Sequence, residues 1–175
     1  HANALGSGAV AIGDGRMAPP NAVVIGNTGA AAVSGDIAIK GTTMGTGAAI
    51  AIGDGSVATS FSDGTLAIGF NAVSGDAGTS VGYQTDAVSG ATALGSHAQA
   101  LGTSSIAIGG AGNDAAAPNA RSLNSIAIGL GANTSTVAND SIAIGTSATA
   151  GGHEDIVIGN GTSGSPLGGG GTIII

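Results

Sequence analysis

Few side chains in this sequence can do chemistry. There are ten carboxylates, three histidines, three lysines or arginines and no cysteine. Without cysteine there is no disulfide framework, no thiolate zinc site and no thiol nucleophile. His153-Glu154-Asp155 is the one local cluster of histidine with carboxylates. His153 and Asp155 stand two apart, so on a strand they would share a face and could meet a metal. The triplet follows Gly151-Gly152, however, and Asp155 stands where Asn124 or Ser125 stands in another segment. A solvated turn is therefore expected, with no metal and no cofactor. His97 stands isolated. Asp14, Asp54 and Asp63 precede glycine, and Asp36 and Asp76 follow it. That pattern marks turns closed by side-chain-to-backbone hydrogen bonds. Paired catalytic carboxylates would need a cleft, and no enzyme is expected.

Two further candidates remain. Arg16 and Arg121 are rare positive charges that could pair with carboxylates of a neighbouring subunit or touch a ligand. The stretch 110–124 carries Asn113, Asp114, Asn119 and Arg121 and interrupts an otherwise regular pattern. Loops projecting from a repetitive scaffold carry specificity without disturbing it, so these four residues are candidate ligand contacts. Gly109-Gly110-Ala111-Gly112-Asn113-Asp114 has the form of one turn of a calcium-binding nonapeptide repeat. A calcium site of that kind needs ligands from successive turns, and there is a single copy.

The elements that must hold these residues are unusual. Glycine makes up 35 of 175 residues, charged residues 7% and aromatics 2%, while 42% is apolar. A disordered chain is poor in apolar residues and rich in charge, and collagen needs glycine at every third position. Neither fits. The formal net charge is −7 with three basic residues, which excludes a phosphate-binding patch and makes nucleic acid an unexpected partner. No apolar run approaches the roughly 18 residues of a membrane-spanning helix. The sequence reads as a piece of a longer protein.

Ala-Ile-Gly or a close variant recurs along the chain. The central residues are Ile12, Ile25, Ile39, Ile52, Ile68, Val81, Leu94, Ile108, Ile128, Ile144 and Ile158. Successive separations are 13, 14, 13, 16, 13, 13, 14, 20, 16 and 14. Each period holds a strand-like Ser-Ile-Ala-Ile-Gly and a second segment, Ala-x-Ala-x-Gly. Isoleucine at period two favours strand, and glycine every five to seven residues opposes helix. Ala-Val-Ser-Gly at 32–35, 72–75 and 87–90 reads as a variant turn. Two short strands and two tight turns make one coil of a narrow β-solenoid, stacked by parallel hydrogen bonding. About eleven coils of 13–16 residues are predicted. One row of isoleucine facing one row of alanine would fill so thin a coil. The expected core is Ile12, Ile25, Ile39, Ile52, Ile68, Val81, Leu94, Ile106, Ile108, Ile126, Ile128, Ile142, Ile144, Ile156 and Ile158. The opposite, small-residue face, with Ala107, Ala127 and Ala143, is expected to meet a copy of the chain. A single thin coil is marginal alone, so self-association is expected.

Asn124-Ser125-Ile126-Ala127-Ile128-Gly129, Asp140-Ser141-Ile142-Ala143-Ile144-Gly145 and Ser104-Ser105-Ile106-Ala107-Ile108-Gly109 resemble the Asn-Ser-Val-Ala-Ile-Gly repeat of YadA-type heads. Ala98-Gln99-Ala100-Leu101-Gly102 matches the segment that follows it. The resemblance covers residues 4 to about 160. It implies an all-β, left-handed parallel β-roll assembled as a homotrimer. It further implies the adhesive head of a Gram-negative trimeric autotransporter, secreted through the type V pathway and displayed on the outer membrane. Residues 1–162 would be the head and 163–175 a Gly-rich tail toward a neck or stalk. Contact with the membrane would come only through a C-terminal anchor outside this sequence. Implied partners are two identical chains and a host matrix protein such as collagen, fibronectin or laminin. Asn124, Ser125, Ile126, Ala127, Ile128 and Gly129 are the motif's best counterpart for ligand contact. Lys40, in place of the repeat glycine, departs from the pattern.

Three other readings compete. An ice-binding solenoid needs stacked Thr-x-Thr, and the threonines are scattered. A left-handed β-helix acyltransferase has a period of six, of which 13 and 14 are not multiples. A passive spacer in a surface fibre has no sequence signature that separates it from an adhesin.

Overall fold

The computed structural model describes residues 1–26, 30–31, 33–62, 64–164 and 171–175. Ala32, Asp63 and residues 165–170 of the Gly-rich stretch lie outside the described residues. The chain forms two compact units, His1–Gln84 and Thr85–Ile175. Both are all-β solenoids, together about twelve turns of about 14 residues.

In the first unit, Val10–Ile12, Val23–Ile25, Ile37–Ile39, Ala49–Ile52, Thr65–Ile68 and Thr79–Val81 pair in parallel, each with the next. A second sheet joins Thr42–Gly45, Val57–Ser60 and Val73–Ser74. In the second unit, Thr92–Leu94, Ile106–Ile108, Ile126–Ile128, Ile142–Ile144, Ile156–Ile158 and Ile173–Ile174 form one parallel sheet. Its companion holds Asp86–Ala87, Gln99–Ala100, Asn119–Ala120, Asn133–Thr134 and Thr149–Ala150. Equivalent residues of successive coils stack directly. Ile126 lies beside Ile106 and Ile142, and Ala127 beside Ala107 and Ala143. Val73–Ser74 and Ala87 are therefore strand, not turn. Ser34–Gly35 and Ser89–Gly90 of the other two copies do lie in turns, as expected.

The core is the reverse of the expectation. Ala107, Ala127 and Ala143 are fully buried, and so are Ala100, Ala120 and Ala150 of the facing sheet. Alanine packs on alanine, as in the cluster of Ala93, Ala100, Ala107, Ala120, Ala127 and Ala132. None of the isoleucines, nor Val81 or Leu94, is buried. They point outward and are half-covered by the same residue type one coil above and below; Ile12 and Ile158 are 56% and 37% exposed. The space inside two strands joined by such short turns admits methyl groups on both walls, with valine taken at Val24 and Val157. Ala107, Ala127 and Ala143 thus have no surface to offer a partner chain.

The corners of the coil are polar. Ser105, Ser125 and Ser141 are fully buried just before their strands. Ser125 Oγ donates to the Ser122 carbonyl at 2.8 Å, and Ser141 Oγ donates to that of Ala138. Asp36 and Asp155 take the same corner. Asp36 accepts from the Ala49 N–H at 2.9 Å and the Thr43 hydroxyl at 2.5 Å. Buried backbone groups are satisfied in this way where the ladder turns. The repeat glycine has a different duty. Gly145 has φ +128, and a Cβ there would stand 2.2 Å from the carbonyl oxygen of Gly159 in the next coil. Only the absence of a side chain lets these turns stack.

Candidate functional site

The stretch after Gly109 does not all protrude. Asn119–Ala120 is the ordinary second strand of its coil, paired with Gln99–Ala100 on one side and Asn133–Thr134 on the other. Pro118 and Ser122 stand where Ala98 and Gly102 stand one coil earlier. That correspondence was available in the sequence. The true excess lies within 110–117, where the preceding coil has only Ser96 and His97, and it is tied down. Asn113 accepts through its side chain from the Ala116 N–H at 3.1 Å, capping a single 3-10 turn, Asp114–Ala116. The Ala111 N–H donates to the Ser96 carbonyl, and the Gly131 N–H to that of Ala116 at 2.7 Å.

His97 is not isolated. It is 8% exposed, with a left-handed φ of +60. Its Nδ1 lies 2.7 Å from Asp114 Oδ1, an ion pair when the ring is protonated. The two residues are 17 apart in sequence, and no local pattern links them. Asp114, which ends the calcium-like motif, is thereby held toward the preceding coil.

Beside this loop lies a pocket of about 240 Å³, lined among others by Asp114, Asn119, Arg121, Asn133 and Thr149. Thr149, Asn133 and Asn119 are consecutive rungs of one ladder, continued by Gln99 and Asp86. Asn119 is 6% exposed and donates through Nδ2 to Gln99 Oε1 at 2.8 Å. The amide oxygens of Asn119 and Asn133 are buried and have no hydrogen-bond partner. Arg121 is exposed at the pocket edge. At the end of the ladder, burial raises the carboxyl of Asp86 above its ordinary value of 3.8.

The other predicted contacts are dispersed. Asn124 sits exposed in a turn with φ +55, its Nδ2 donating to Asp140 Oδ1 at 2.9 Å. Ser125 and Ala127 are fully buried and cannot touch a ligand. Ile126 and Ile128 are partly exposed on the outer ladder. His153 and Glu154 are exposed in a turn, whereas Asp155 is wholly buried. Its carboxylate accepts from the N–H groups of Gly152, at 2.8 Å, and Thr172, at 3.1 Å. Burial thus splits that triplet. Arg16 donates through Nε to the Asp14 carbonyl at 3.1 Å. Lys40 takes φ +56 where most repeats have glycine. Gly171–Ile175 lies within the stretch 163–175 expected as a tail, and there Ile173–Ile174 adds a rung to the sheet beside Ile156–Val157.

These features define a repeat-built β-solenoid that displays an apolar ladder and one polar pocket. Residues 47–72, 89–111 and 137–162 match the YadA head domain repeat. The chain carries YadA head domain repeats, typical of trimeric autotransporter adhesin heads. Such heads are trimeric as a family, and they are adhesive, non-catalytic modules. The family is exposed on the cell surface. No curated protein and no solved structure matches the chain.

Proposed function

We infer that this chain is the adhesive head of a trimeric autotransporter, wound left-handed, assembled as a homotrimer and binding host extracellular matrix protein without catalysis. The observation that carries the reading is the outward isoleucine ladder in a chain of YadA head repeats. In the second unit it runs through Ile106, Ile126, Ile142 and Ile156 and, two residues on, Ile108, Ile128, Ile144 and Ile158. In the first it runs through Ile12, Ile25, Ile39, Ile52 and Ile68. Contiguous apolar surface of this kind is rare on monomers and marks an interface. Three copies meeting on this ladder leave the second sheet and the 110–117 loop facing outward. Matrix protein then binds by many weak contacts multiplied by threefold avidity. The trimer carries 3 × −7 = −21 charges, which favours protein over polyanionic ligands.

Sedimentation equilibrium is the first test. A mass near 3 × 16.0 = 48 kDa is expected. A mass near 16.0 kDa that does not rise with concentration refutes the assembly. Saturable binding of the trimer to collagen, fibronectin or laminin at micromolar concentration is expected. A flat response across all three refutes the adhesive reading.

A further inference from the structure

We propose that Asp54, Phe70 and Tyr83 form a receptor site for an arginine side chain of a protein ligand. The proposal rests on the adhesive reading and deepens it by giving the partner a chemistry. The chain has three aromatic residues, and all are exposed: Phe61 by 64%, Phe70 by 45% and Tyr83 by 49%. An interior lined by alanine has no room for a ring, so exposure alone selects no function. The position of two of them does more. Phe70 and Tyr83 each follow a repeat glycine, Gly69 and Gly82. In other coils the same slot holds Asp14, Asp54, Ser96, Thr146 and Asn160, and in one Leu130. The turn therefore forms with a polar side chain there, and the fold does not require two neighbouring rings facing water.

The two rings are stacked, 5.4 Å between centroids and 11° between planes. The backbone fixes their rungs. The Gln84 N–H donates to the Phe70 carbonyl at 2.8 Å, and the Asn71 N–H to that of Asp54 at 3.0 Å. Asp54, Phe70 and Tyr83 are thus consecutive rungs of one ladder, all within the first unit. Tyr83 covers one face of Phe70. The other face looks toward the rung of Asp54, which is exposed. Its carboxylate makes no hydrogen bond or ion pair among the described residues. Successive rungs lie about 4.8 Å apart, so one more flat group fits on the stack at the level of Asp54. Charge selects that group. Ring faces carry negative potential, the next rung is a carboxylate, and the chain has a net charge of −7. The occupant is therefore a cation. Guanidinium suits both walls at once: it is flat, stacks on an aromatic face and offers a fork of N–H donors to a carboxylate. An ammonium is more strongly hydrated and has no face to stack. A sugar or proline ring could lie on Phe70 but draws no attraction from the charge of the chain.

The chain has one tyrosine and no tryptophan, so Tyr83 fluorescence reports on this site. The test follows it, together with the NMR signals of the ring protons, as the 175-residue chain is titrated with the peptide acetyl-Gly-Ser-Arg-Ser-Gly-amide. Separate arms replace the arginine by citrulline, its neutral isostere, by lysine or by proline, or use methyl β-D-glucopyranoside. The arginine peptide should shift the Phe70 and Tyr83 signals saturably, with a Kd of about 10 mM. Added sodium chloride should weaken it, because Asp54 is exposed. Phe70→Ser and Asp54→Asn should each weaken it about five-fold, with circular dichroism and mass in solution as in the parent. Should Phe70→Ser fail to fold, Asp54→Asn, which keeps the size of the side chain, decides. Absence of a saturable shift with the arginine peptide overturns the proposal. So does equal binding of the citrulline, lysine, proline or sugar probe, or arginine binding that Asp54→Asn leaves unchanged. A folded Phe70→Ser chain whose assembly falls apart also overturns it, since a second copy then covers the rings. Matrix binding by the parent without arginine-peptide binding sinks this inference and leaves the adhesive reading standing. A parent that binds no matrix protein sinks that reading, whatever the peptide does.

Discussion

Replacing Ala127 by Leu and, separately, its neighbour Ile128 by Ser tests which face of the strand is inside. Ala127 is fully buried, with Ala107 and Ala143 as the rungs on either side. Leucine adds three carbons to a space walled by alanine methyls. Overpacking a well-packed core costs about 1–3 kcal/mol. The upper end applies here, because valine is the largest apolar side chain the described interior takes, at Val24 and Val157. Full burial of isoleucine is worth about 1.5–3 kcal/mol, and Ile128 is already mostly covered in the single chain, so serine removes the larger part of that there. The remainder appears on assembly, at most about 1 kcal/mol per protomer and about 3 kcal/mol per trimer. That corresponds to at most about a hundred-fold in trimer dissociation. Urea unfolding followed by circular dichroism reads the first effect, and sedimentation equilibrium reads the second. The expected pattern is a chain destabilised by Ala127→Leu and a folded chain with weakened association for Ile128→Ser. A folded Ala127→Leu chain that no longer associates, with an unfolded Ile128→Ser chain, would show that alanine faces the partner and refute the assignment.

Two further outcomes follow from local geometry. Gly145→Ala should cost about 2 kcal/mol or more, because the φ of +128 is strained for alanine and its Cβ would meet the Gly159 carbonyl. Gly161→Ala, at φ +66 with open space around it, should cost only about 1 kcal/mol; equal costs in urea unfolding would refute the stacking argument. Asp86 gives a pH effect. Burial raises its folded-state pKa above 3.8, so between these values the native state holds more protons than the unfolded chain, and stability falls as pH rises through that window. Asp86→Asn should therefore be more stable than the parent at neutral pH, with the gap closing toward about pH 3. A parent more stable than the variant at pH 7 would refute it.

Much of the architecture is written in the sequence. The 13–14-residue period, the paired short strands, the parallel stacking and the repeat glycines follow from spacing and residue type. Local propensity and turn chemistry act within a few residues and recur in every coil. The long 108-to-128 interval marked the loop, and Asn113, Asp114, Asn119 and Arg121 all lie at or near it. Asp114, Asn119 and Arg121 line one pocket, which Asn113 helps to form by capping the turn. His97 was missed because its partner lies one coil away, and Asn133 because an asparagine in a strand looks like any solvated rung. Which face of the alternating strand points inward was not legible. A period-two pattern is the same read from either side, and the hydrophobic preference for the interior favours isoleucine. Only the tertiary structure decides, because the gap between the two sheets is set by the turns. It has room for alanine on both walls, and the larger apolar residues are left outside to form a surface that a single chain cannot cover.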